Sequence, residues 1–489
     1  MEKKDKNKDN NIKKFELNKN NLRSLFRILR LTVAIVTIIL IVKLFIGLVF
    51  TKKVDYKLVY KKNDGNLVTI IKKDEKVNLS KEDSTNDVLY PNNNDRYILF
   101  MRNASLYLFD SKKNDVIKIT KDVKKYYFSP NDKYVVSTDE EDNLYVYNFN
   151  KNEKIVSDIE AVKLVTDKFV IYLKNSILYM HSLNYKKDEN IRIEKNFGKD
   201  ISSIYKDKLI YIDGEKKLKI YDITTKKVTN IDSDVKAYYN DPELDSFYYL
   251  SLDSTLYYYD GSKSNKVTSD IYNIANIDVK NKEVVYSKKD GKYDLYFQKS
   301  TKEPSPIEKS SSVNIDYAFL FDNKCVYYIN KDNDLMYARI NGSKVAKSRT
   351  VINDVEALSF KKTKDGYIFI ADSSKKGLGS LYLAKAYKAK KIDTEVVSTN
   401  IRVSKDGKQF FYLKNYSNYV GDLYTSNGGA PKEIDKDVYK YQYINSKNIY
   451  YIKDYNSNRK YGDLYKYNKK STKIDEQVSS IANIYNVYS

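Results

Sequence analysis

From about residue 54 to the end of the chain, short runs of β-branched and aromatic residues alternate with polar turns. The runs have the length of strands, and none of them continues into a helical period. The stretch that begins at Val235 is representative, because apolar runs at residues 235–239, 246–250, 255–259 and 266–268 follow one another with a turn after each. The pattern therefore predicts an all-β structure built from groups of four strands.

A Leu-Tyr pair or a near-equivalent recurs about every 40 residues, which is the length of one four-stranded blade of a β-propeller. Asp-Gly and Asn-Gly turns supply the positive φ that tight hairpins need. The sequence therefore predicts a β-propeller of about eleven four-stranded repeats. The Leu-Tyr pairs begin at Leu106, Leu144, Leu178, Leu256, Leu295, Leu381, Leu423 and Leu464. The second strands of the repeats are predicted to begin near Tyr56, Tyr97, Tyr134, Phe169, Leu209, Phe247, Val284, Val326, Tyr367, Phe410 and Ile449.

The number of rings is left open by two opposing features. Propeller rings usually have about four to eight blades, so about eleven repeats favour two rings. Pro304 and Pro306 interrupt the pattern, which predicts about six blades at residues 54–312 and about five at residues 313–489. However, the first repeat lacks one strand, and the chain ends with a spare strand at residues 478–485. If that strand completes the first repeat, one large ring or nested rings are favoured instead.

Residues 31–50 are a long apolar segment that predicts a single transmembrane helix from Leu31 to Phe50. Twenty helical residues rise about 30 Å, which is enough to cross the hydrocarbon core. Lys43 opposes insertion by about 3 kcal/mol, but the apolar residues contribute roughly −7 kcal/mol. The basic residues 1–30 are predicted to be a cytoplasmic tail, with the repeats extracytoplasmic. A cleaved signal peptide is the alternative, and the lysines that directly follow the segment disfavour it.

Composition adds a strong positive charge and the absence of an internal disulfide. Lys+Arg 87 against Asp+Glu 65 gives a net charge of +22, which favours anionic neighbours. The competing explanation is a low-GC genome, because Lys, Asn, Ile and Tyr all have AT-rich codons. Cys325 is the only cysteine, so the chain has no internal disulfide. Its apolar surroundings in the sequence predict an unreactive core thiol.

The usual catalytic patterns are missing from the sequence. His181 is the only histidine, and we expect it on the surface of a strand, because the sequence has no nucleophile elbow for it to serve. A zinc site needs several His or Cys ligands, and this chain offers one of each. The acidic turns at residues 139–142 and 332–334 lack the spacing of a calcium loop and are predicted to be solvated hairpins. We therefore predict no catalytic, cofactor-binding or metal-binding residue, and no cofactor. A pair of carboxylates for glycoside hydrolysis is the alternative that spacing alone does not address.

Two turns carry a recognisable phrase. Residues 128–134 (Phe-Ser-Pro-Asn-Asp-Lys-Tyr) resemble the Ser-Pro-Asp-Gly-Lys turn of TolB-like propellers, and residues 403–409 (Val-Ser-Lys-Asp-Gly-Lys-Gln) are similar with Lys405 in place of proline. The third strands and the turns after them also resemble YWTD-like repeats, which occur in bacterial membrane-anchored proteins of unassigned role. The resemblance implies the propeller fold over about residues 54–489. It transfers no functional residue, because such families bind different partners.

These observations favour a membrane-anchored, extracytoplasmic, non-enzymatic binding or scaffold module for a cell-envelope partner. The partner is expected to be a protein or an anionic polymer, and nucleic acid is not expected because it lies across the membrane. The alternative is a carbohydrate-active enzyme with two carboxylates at the propeller centre, and a third hypothesis is a sensor whose basic tail reports inward. Most of the 49 tyrosines are expected to pack between blades, while those at the loop-bearing ends are candidates for stacking on sugar rings.

Overall fold

The computed structural model describes residues 58–71, 74–80, 84–91, 96–184, 190–205, 207–288, 294–308, 313–322, 324–356, 359–373, 377–445 and 448–485. The predicted tail at residues 1–30 and the predicted membrane helix with Leu31, Lys43 and Phe50 lie outside these described residues. Within them, no helix is long and apolar enough to cross a membrane. The described chain is built from strands, with a short 3-10 turn at Ser398–Asn400.

The strands pair with their neighbours in the chain in antiparallel groups of four, and each group is called a unit below. Some units are separate sheets, and others are part of larger sheets. The first strands are β1 (Val59–Lys62), β2 (Leu67–Ile70), β3 (Lys76–Ser80), β4 (Ser84–Leu89), β5 (Tyr97–Arg102), β6 (Ser105–Asp110) and β7 (Asp115–Thr120). Two units follow, with β8 (Val123–Phe128), β9 (Val135–Asp139), β10 (Leu144–Tyr147), β11 (Asn152–Val156), β12 (Ala161–Val165), β13 (Phe169–Lys174), β14 (Ile177–Ser182) and β15 (Ile191–Glu194).

The middle of the chain continues the same arrangement. Its three units contain β16 (Phe197–Ile204), β17 (Lys208–Asp213), β18 (Leu218–Asp222), β19 (Lys227–Asp232), β20 (Val235–Asn240), β21 (Phe247–Ser251), β22 (Leu256–Tyr259), β23 (Ser264–Thr268), β24 (Ile271–Asp278), β25 (Glu283–Lys288), β26 (Leu295–Lys299) and β27 (Ser305–Glu308). A five-stranded sheet follows, with β28 (Val313–Phe321), β29 (Cys325–Asn330), β30 (Leu335–Asn341), β31 (Lys344–Val345) and β32 (Arg349–Ile352).

The last strands belong to one 14-stranded sheet that also takes in β1 to β3. They are β33 (Lys361–Lys362), β34 (Tyr367–Ala371), β35 (Leu378–Lys385), β36 (Lys388–Val397), β37 (Arg402–Val403), β38 (Phe410–Ser417), β39 (Val420–Ser426), β40 (Lys432–Asn445), β41 (Asn448–Asn456), β42 (Tyr461–Asn468) and β43 (Lys470–Ile481). The last strand, β44 (Asn483–Tyr485), pairs with β4 in a different sheet.

Three long strands join the C-terminal units into this single sheet. The first half of β40 pairs with β39, and its second half pairs with β41, so one strand is the fourth strand of one unit and the first strand of the next. β36 and β43 have the same double role. Each strand contains one residue with positive φ near the change of partner: Glu395 (55°), Asp437 (55°) and Gln477 (56°). A left-handed residue bends the strand there without ending its hydrogen bonding.

Hydrophobic clusters lie between successive units. One cluster packs Leu99 and Leu106 of one unit against Val123 and Val135 of the next, and equivalent clusters follow along the chain. A further cluster packs Tyr60 of β1 against C-terminal strands. The units therefore form a closed series in which apolar side chains cover both faces of each sheet.

The two ends of the described chain meet in this closure. The end of β43 pairs antiparallel with β1, with Tyr60 opposite Ile481, and β44 pairs parallel with β4. Of the spare C-terminal segment, residues 478–481 thus complete the first repeat, which is the alternative that the sequence left open, whereas Asn483–Tyr485 extend the second repeat. The pairing also covers the edge of β1 that faces away from β2, which removes one site for unwanted strand addition.

Tyrosines join the units by hydrogen bonds as well as by packing. In six described cases, a buried tyrosine on the second strand of one unit donates its hydroxyl to a carboxylate on the fourth strand of the preceding unit, at 2.5–3.2 Å. These inter-unit bonds are Tyr60–Asp475, Tyr211–Glu194, Tyr249–Asp232, Tyr328–Glu308, Tyr412–Asp393 and Tyr451–Asp435. In the cases of Tyr60, Tyr412 and Tyr451, the lysine two residues after the tyrosine binds the same carboxylate.

Most strand predictions are confirmed. The second strands at Tyr97, Phe169, Phe247, Tyr367 and Phe410 begin where the sequence predicts them, and the others except the first begin within one residue. The division into rings near residue 312 stays a prediction, and one cluster packs side chains of β25 and β26 against side chains of β29 and β30 across that point.

The single cysteine is also where the sequence predicts it. Cys325 is 3% exposed, and burial raises the pKa of its thiol to about 12. The thiol is therefore protonated at neutral pH and unreactive.

Candidate functional site

The turn at residues 403–409, which carries one of the two recognisable phrases, is held by its own polar side chains. The Ser404 hydroxyl donates to Asp406 Oδ1 at 2.7 Å and accepts the Gln409 N–H at 2.9 Å. Asp406 Oδ1 also accepts the Lys408 N–H at 3.2 Å. These bonds, the first from Ser404, hold the pKa of Asp406 below its usual range. The turn is therefore a rigid element with the Lys408 side chain exposed beside it.

The other phrase, at residues 128–134, folds in the same way. The Ser129 hydroxyl donates to Asn131 Oδ1 at 2.8 Å and accepts the Tyr134 N–H at 3.1 Å. Asn131 takes the place of Asp406, and Asp132, with φ 57°, takes the place of Gly407, with φ 67°. The two departures from the Ser-Pro-Asp-Gly-Lys pattern therefore preserve the turn, because Asn and Asp tolerate the left-handed region better than most residues.

The turn at residues 403–409 contacts the equivalent turn of the preceding unit. The Lys364 N–H donates to the Gly407 carbonyl at 2.9 Å. A Cβ on Gly407 would lie 2.5 Å from the Lys364 nitrogen, so the close approach requires glycine. The contact fixes the spacing of the two turns and of the lysines that they carry.

Two adjoining clefts open around this contact, and together they are called the lysine clefts. The first has a volume of ≈ 270 Å³ and the second ≈ 490 Å³. Lys408 and Asn427 line both of them. The first is also lined by Thr363, Lys364, Asp365, Leu383, Lys385, Gly407 and Phe410, and the second by Ser404, Asp406, Gln409, Thr425, Ser426, Ala430, Lys432 and Tyr443.

The charge balance of the lysine clefts is positive. Lys385 pairs with Asp365 at 3.0 Å, and Asp406 is occupied by the turn. For Lys364, Lys408 and Lys432, no carboxylate of the described residues lies within ion-pair distance. Three exposed ammonium groups thus line adjoining concave surfaces on a rigid support, which is an arrangement that attracts anions.

The other candidates from the sequence do not form a chemical site. His181 lies on β14, as predicted, but it is 6% exposed rather than on the strand surface, and its Nδ1 lies 3.0 Å from Asn190 Oδ1. In the acidic turn at residues 139–142, the carboxylate of Asp139 accepts bonds from Asn143 and Tyr145. Across the described ranges, no group of three His, Cys, Asp or Glu side chains could hold a metal ion.

A larger cavity of ≈ 670 Å³ lies at the ends of β20 and β24. Its charges are mixed, because Asp241, Asp278 and Asp322 line it together with Lys280 and Lys362. Asp322 and Lys362 pair at 3.1 Å. The positive balance of the lysine clefts is therefore not repeated there.

Comparisons with known proteins find solved structures with low sequence identity and low TM-scores. No family model matches the chain, and no curated protein matches it. The chain is similar to a eukaryotic initiation factor (10% identity, 78% of this chain and 97% of that chain, TM-score 0.43). It is also similar to tricorn protease (12%, 77% and 47%, TM-score 0.31) and to BamB from Moraxella catarrhalis (10%, 59% and 92%, TM-score 0.29).

Tricorn protease and BamB are β-propeller proteins, and the chain spans about half the length of tricorn protease. With TM-scores below 0.5, these similarities support no conclusion about activity or partner. The description of the fold as four-stranded antiparallel units of the propeller type rests on the strand pairing given above.

Proposed function

We propose that this protein is a non-enzymatic binding module whose lysine clefts hold an anionic polymer of the cell envelope. The proposal keeps the sequence-based expectation of a single membrane helix at residues 31–50, a cytoplasmic N-terminus and extracytoplasmic repeats. The observation that carries it is the set of three exposed lysines, Lys364, Lys408 and Lys432, on adjoining clefts that the turn at residues 403–409 holds rigid.

A polymer fits this arrangement better than a small anion. The ammonium groups line two clefts that share Lys408, so a chain with repeated phosphates can contact several of them at once. Each exposed contact is weak, at about 0.2–1 kcal/mol. Several such contacts on one chain add through effective concentration, whereas a single phosphate gains only one.

The test measures binding of long-chain polyphosphate, as a phosphate-rich probe, to the full chain purified in a zwitterionic detergent. The test variant changes Lys364, Lys408 and Lys432 to alanine. The control variant changes three exposed lysines on the fourth strands of other units to alanine, which removes the same total charge: Lys118, Lys227 and Lys266.

Loss of the three cleft lysines should weaken binding by roughly 0.6–3 kcal/mol, or about 3- to 150-fold in Kd. The control should lose much less, and binding of the unmodified protein should fall as salt rises because the contacts are exposed. Equal losses in both variants would mean that net charge, rather than the clefts, attracts the probe. Binding that is insensitive to salt would rule out the anionic-polymer proposal.

A further inference from the structure

A second surface lies at the opposite ends of the strands, where β38 turns into β39. Asn418 and Tyr419 connect these strands, with Ser417 paired to Val420, and their φ values are 48° and 71°. Two successive residues with positive φ define the type I′ hairpin turn, in which the second position is normally glycine. Two other turns of this chain, at Asn103-Ala104 and Asn175-Ser176, have small residues at that position.

Tyr419 is therefore an exception to the turn chemistry, and the fold does not compensate for it by burial. A bulky residue in the left-handed region is strained. Yet its side chain is 63% exposed, the largest exposed fraction among the large apolar and aromatic residues described. Residues held in strained backbone conformations are concentrated at functional positions, so the outlier is grounds for a functional hypothesis.

Three further tyrosines lie beside it on the same ends of the C-terminal units, and the four are called the tyrosine tip: Tyr416, Tyr419, Tyr439 and Tyr455. Tyr439 and Tyr455 stack with ring centroids 3.6 Å apart and an angle of 7° between the rings. Burial, and then the neighbouring phenols of Tyr439 and Tyr419, raise the pKa of Tyr416 above its usual range. The strand register brings these rings together, because Ser417, next to Tyr416, pairs with Val420, next to Tyr419, and Gly421 pairs with Val438, the residue before Tyr439.

The same backbone feature, a bulge with a positive-φ residue, precedes two of these tyrosines. Asn415 (φ 54°) and Asp454 (φ 56°) each lie in a bulge, directly before Tyr416 and Tyr455. A Cβ on Gly421 would lie 3.1 Å from the Tyr416 ring, and a Cβ on Gly462 would lie 3.1 Å from the Tyr455 backbone. Glycine thus makes room for the residue opposite in both hairpins. The same placement in two successive units makes the tip a constructed feature rather than a single irregular loop.

We infer that the tyrosine tip binds the uncharged pyranose rings of a glycan, with Tyr419 as the ring on which a sugar stacks. Asn418 directly precedes Tyr419 and Asn456 directly follows Tyr455, and both are exposed. The Asn418 amide can donate hydrogen bonds to sugar hydroxyls and accept bonds from them, and the Asn456 amide nitrogen can donate, while its oxygen accepts the Asn458 and Arg459 N–H groups. Amphipathic rings beside a few polar groups are typical of small-ligand sites.

A protein partner would need more surface than this tip offers. Stable protein interfaces bury roughly 1,200–2,000 Å² and use about 20–30 residues on each side. The six large apolar or aromatic side chains that are exposed in the described residues are spread over five units, and of them only Tyr419 belongs to the tip. One exposed ring with three half-buried neighbours offers a contact area suited to one or two sugar rings.

The experiment measures binding of the full chain to uncharged pyranose hexasaccharides of glucose, N-acetylglucosamine, galactose and mannose. Calorimetry is done in a zwitterionic detergent, because detergents with sugar headgroups would compete. Tyr419→Ala should weaken binding about tenfold, the loss expected for one stacked ring. The control is Tyr272→Ala, which removes a tyrosine that is 52% exposed on β24 and should change Kd by less than about twofold.

Tyr419→Gly separates binding from folding. Glycine relieves the strained turn, so amide exchange in β38 and β39 should slow by about 5- to 30-fold while glycan binding is lost. A tyrosine with a structural role would give the opposite result, faster exchange. The inference is overturned if no hexasaccharide binds, if binding survives Tyr419→Ala, or if Tyr419→Ala changes self-association instead. It does not depend on the lysine clefts, because an uncharged ligand should bind the lysine variant normally.

Discussion

The bond between Tyr60 and Asp475 offers a direct measurement of how the closed series of units is held. The Tyr60 hydroxyl, on a fully buried side chain, donates to Asp475 Oδ2 at 2.7 Å. Lys62 and Lys76 both lie 3.2 Å from Asp475 Oδ1. The substitution Tyr60→Phe removes the hydroxyl bond and keeps both positive charges. Asp475 is therefore left with counter-charges, and the loss should be that of one hydrogen bond to a charged group, about 1.5–3 kcal/mol.

The chain contains its own control for this substitution. Tyr172 occupies the same second-strand position in β13 and is 1% exposed, but no carboxylate of the described residues accepts a bond from its hydroxyl. Tyr172 packs against Val156 of the preceding unit. Val156 lies two residues before Asp158, which has positive φ, just as Asp475 lies two residues before Gln477, so the two positions are equivalent. Tyr172→Phe should change stability by less than about 0.5 kcal/mol.

Native-state hydrogen exchange is the appropriate assay, because a repeat protein of this size is not expected to unfold in one step. In Tyr60→Phe, amides of β1 and of residues 478–481 should exchange about 10- to 150-fold faster, since about 1.4 kcal/mol corresponds to one decade. Amides of β21 should be unaffected. Equal acceleration in Tyr172→Phe, or acceleration spread evenly over all units, would refute the view that this bond holds the closure.

Three other changes test separate features. Tyr248→Phe removes a buried hydroxyl that has no hydrogen-bond partner among the described residues, so the opening free energy of β21 in native-state exchange should stay the same or rise by up to about 1 kcal/mol. Gly407→Ala should lower the opening free energy of β38 by about 2 kcal/mol, because alanine resists φ 67° and its Cβ would crowd the Lys364 nitrogen. The exchange protection factors of β41 and β43 should also fall as the pH falls below about 4. Burial raises the pKa of Asp435 and Asp475, but hydrogen bonds from Lys453, Tyr451 and Tyr60 outweigh it and lower the pKa overall, so stability present at neutral pH is lost as these carboxylates protonate. Acid resistance of both strands would contradict that assignment.

Strand positions could be predicted from the sequence because they depend on local chemistry. Short β-branched and aromatic runs between turn residues determine where strands begin, and β21 starts within one residue of the predicted run. The tyrosine–carboxylate hydrogen bonds between units could not be predicted from local sequence. Tyr60 and Asp475 are 415 residues apart, and nothing in the local pattern distinguishes Tyr60 from Tyr172. The difference lies in the residue that the preceding unit presents, a carboxylate in one case and a valine in the other.

The same limit explains the two proposed surfaces. Lysines are frequent throughout this chain, so Lys364 and Lys408 carry no special signal until the Lys364 N–H is seen to bind the Gly407 carbonyl. Tyr419, by contrast, had a signal that sequence reasoning missed. Asn418-Tyr419 stands where a two-residue hairpin turn calls for Asn-Gly, and the pair closely follows the apolar and aromatic run at residues 410–413. A residue that violates the local rule of its turn, without burial to compensate, is the kind of exception that functional sites produce. Searching a repeat sequence for such exceptions is therefore more informative than searching it for frequent residues.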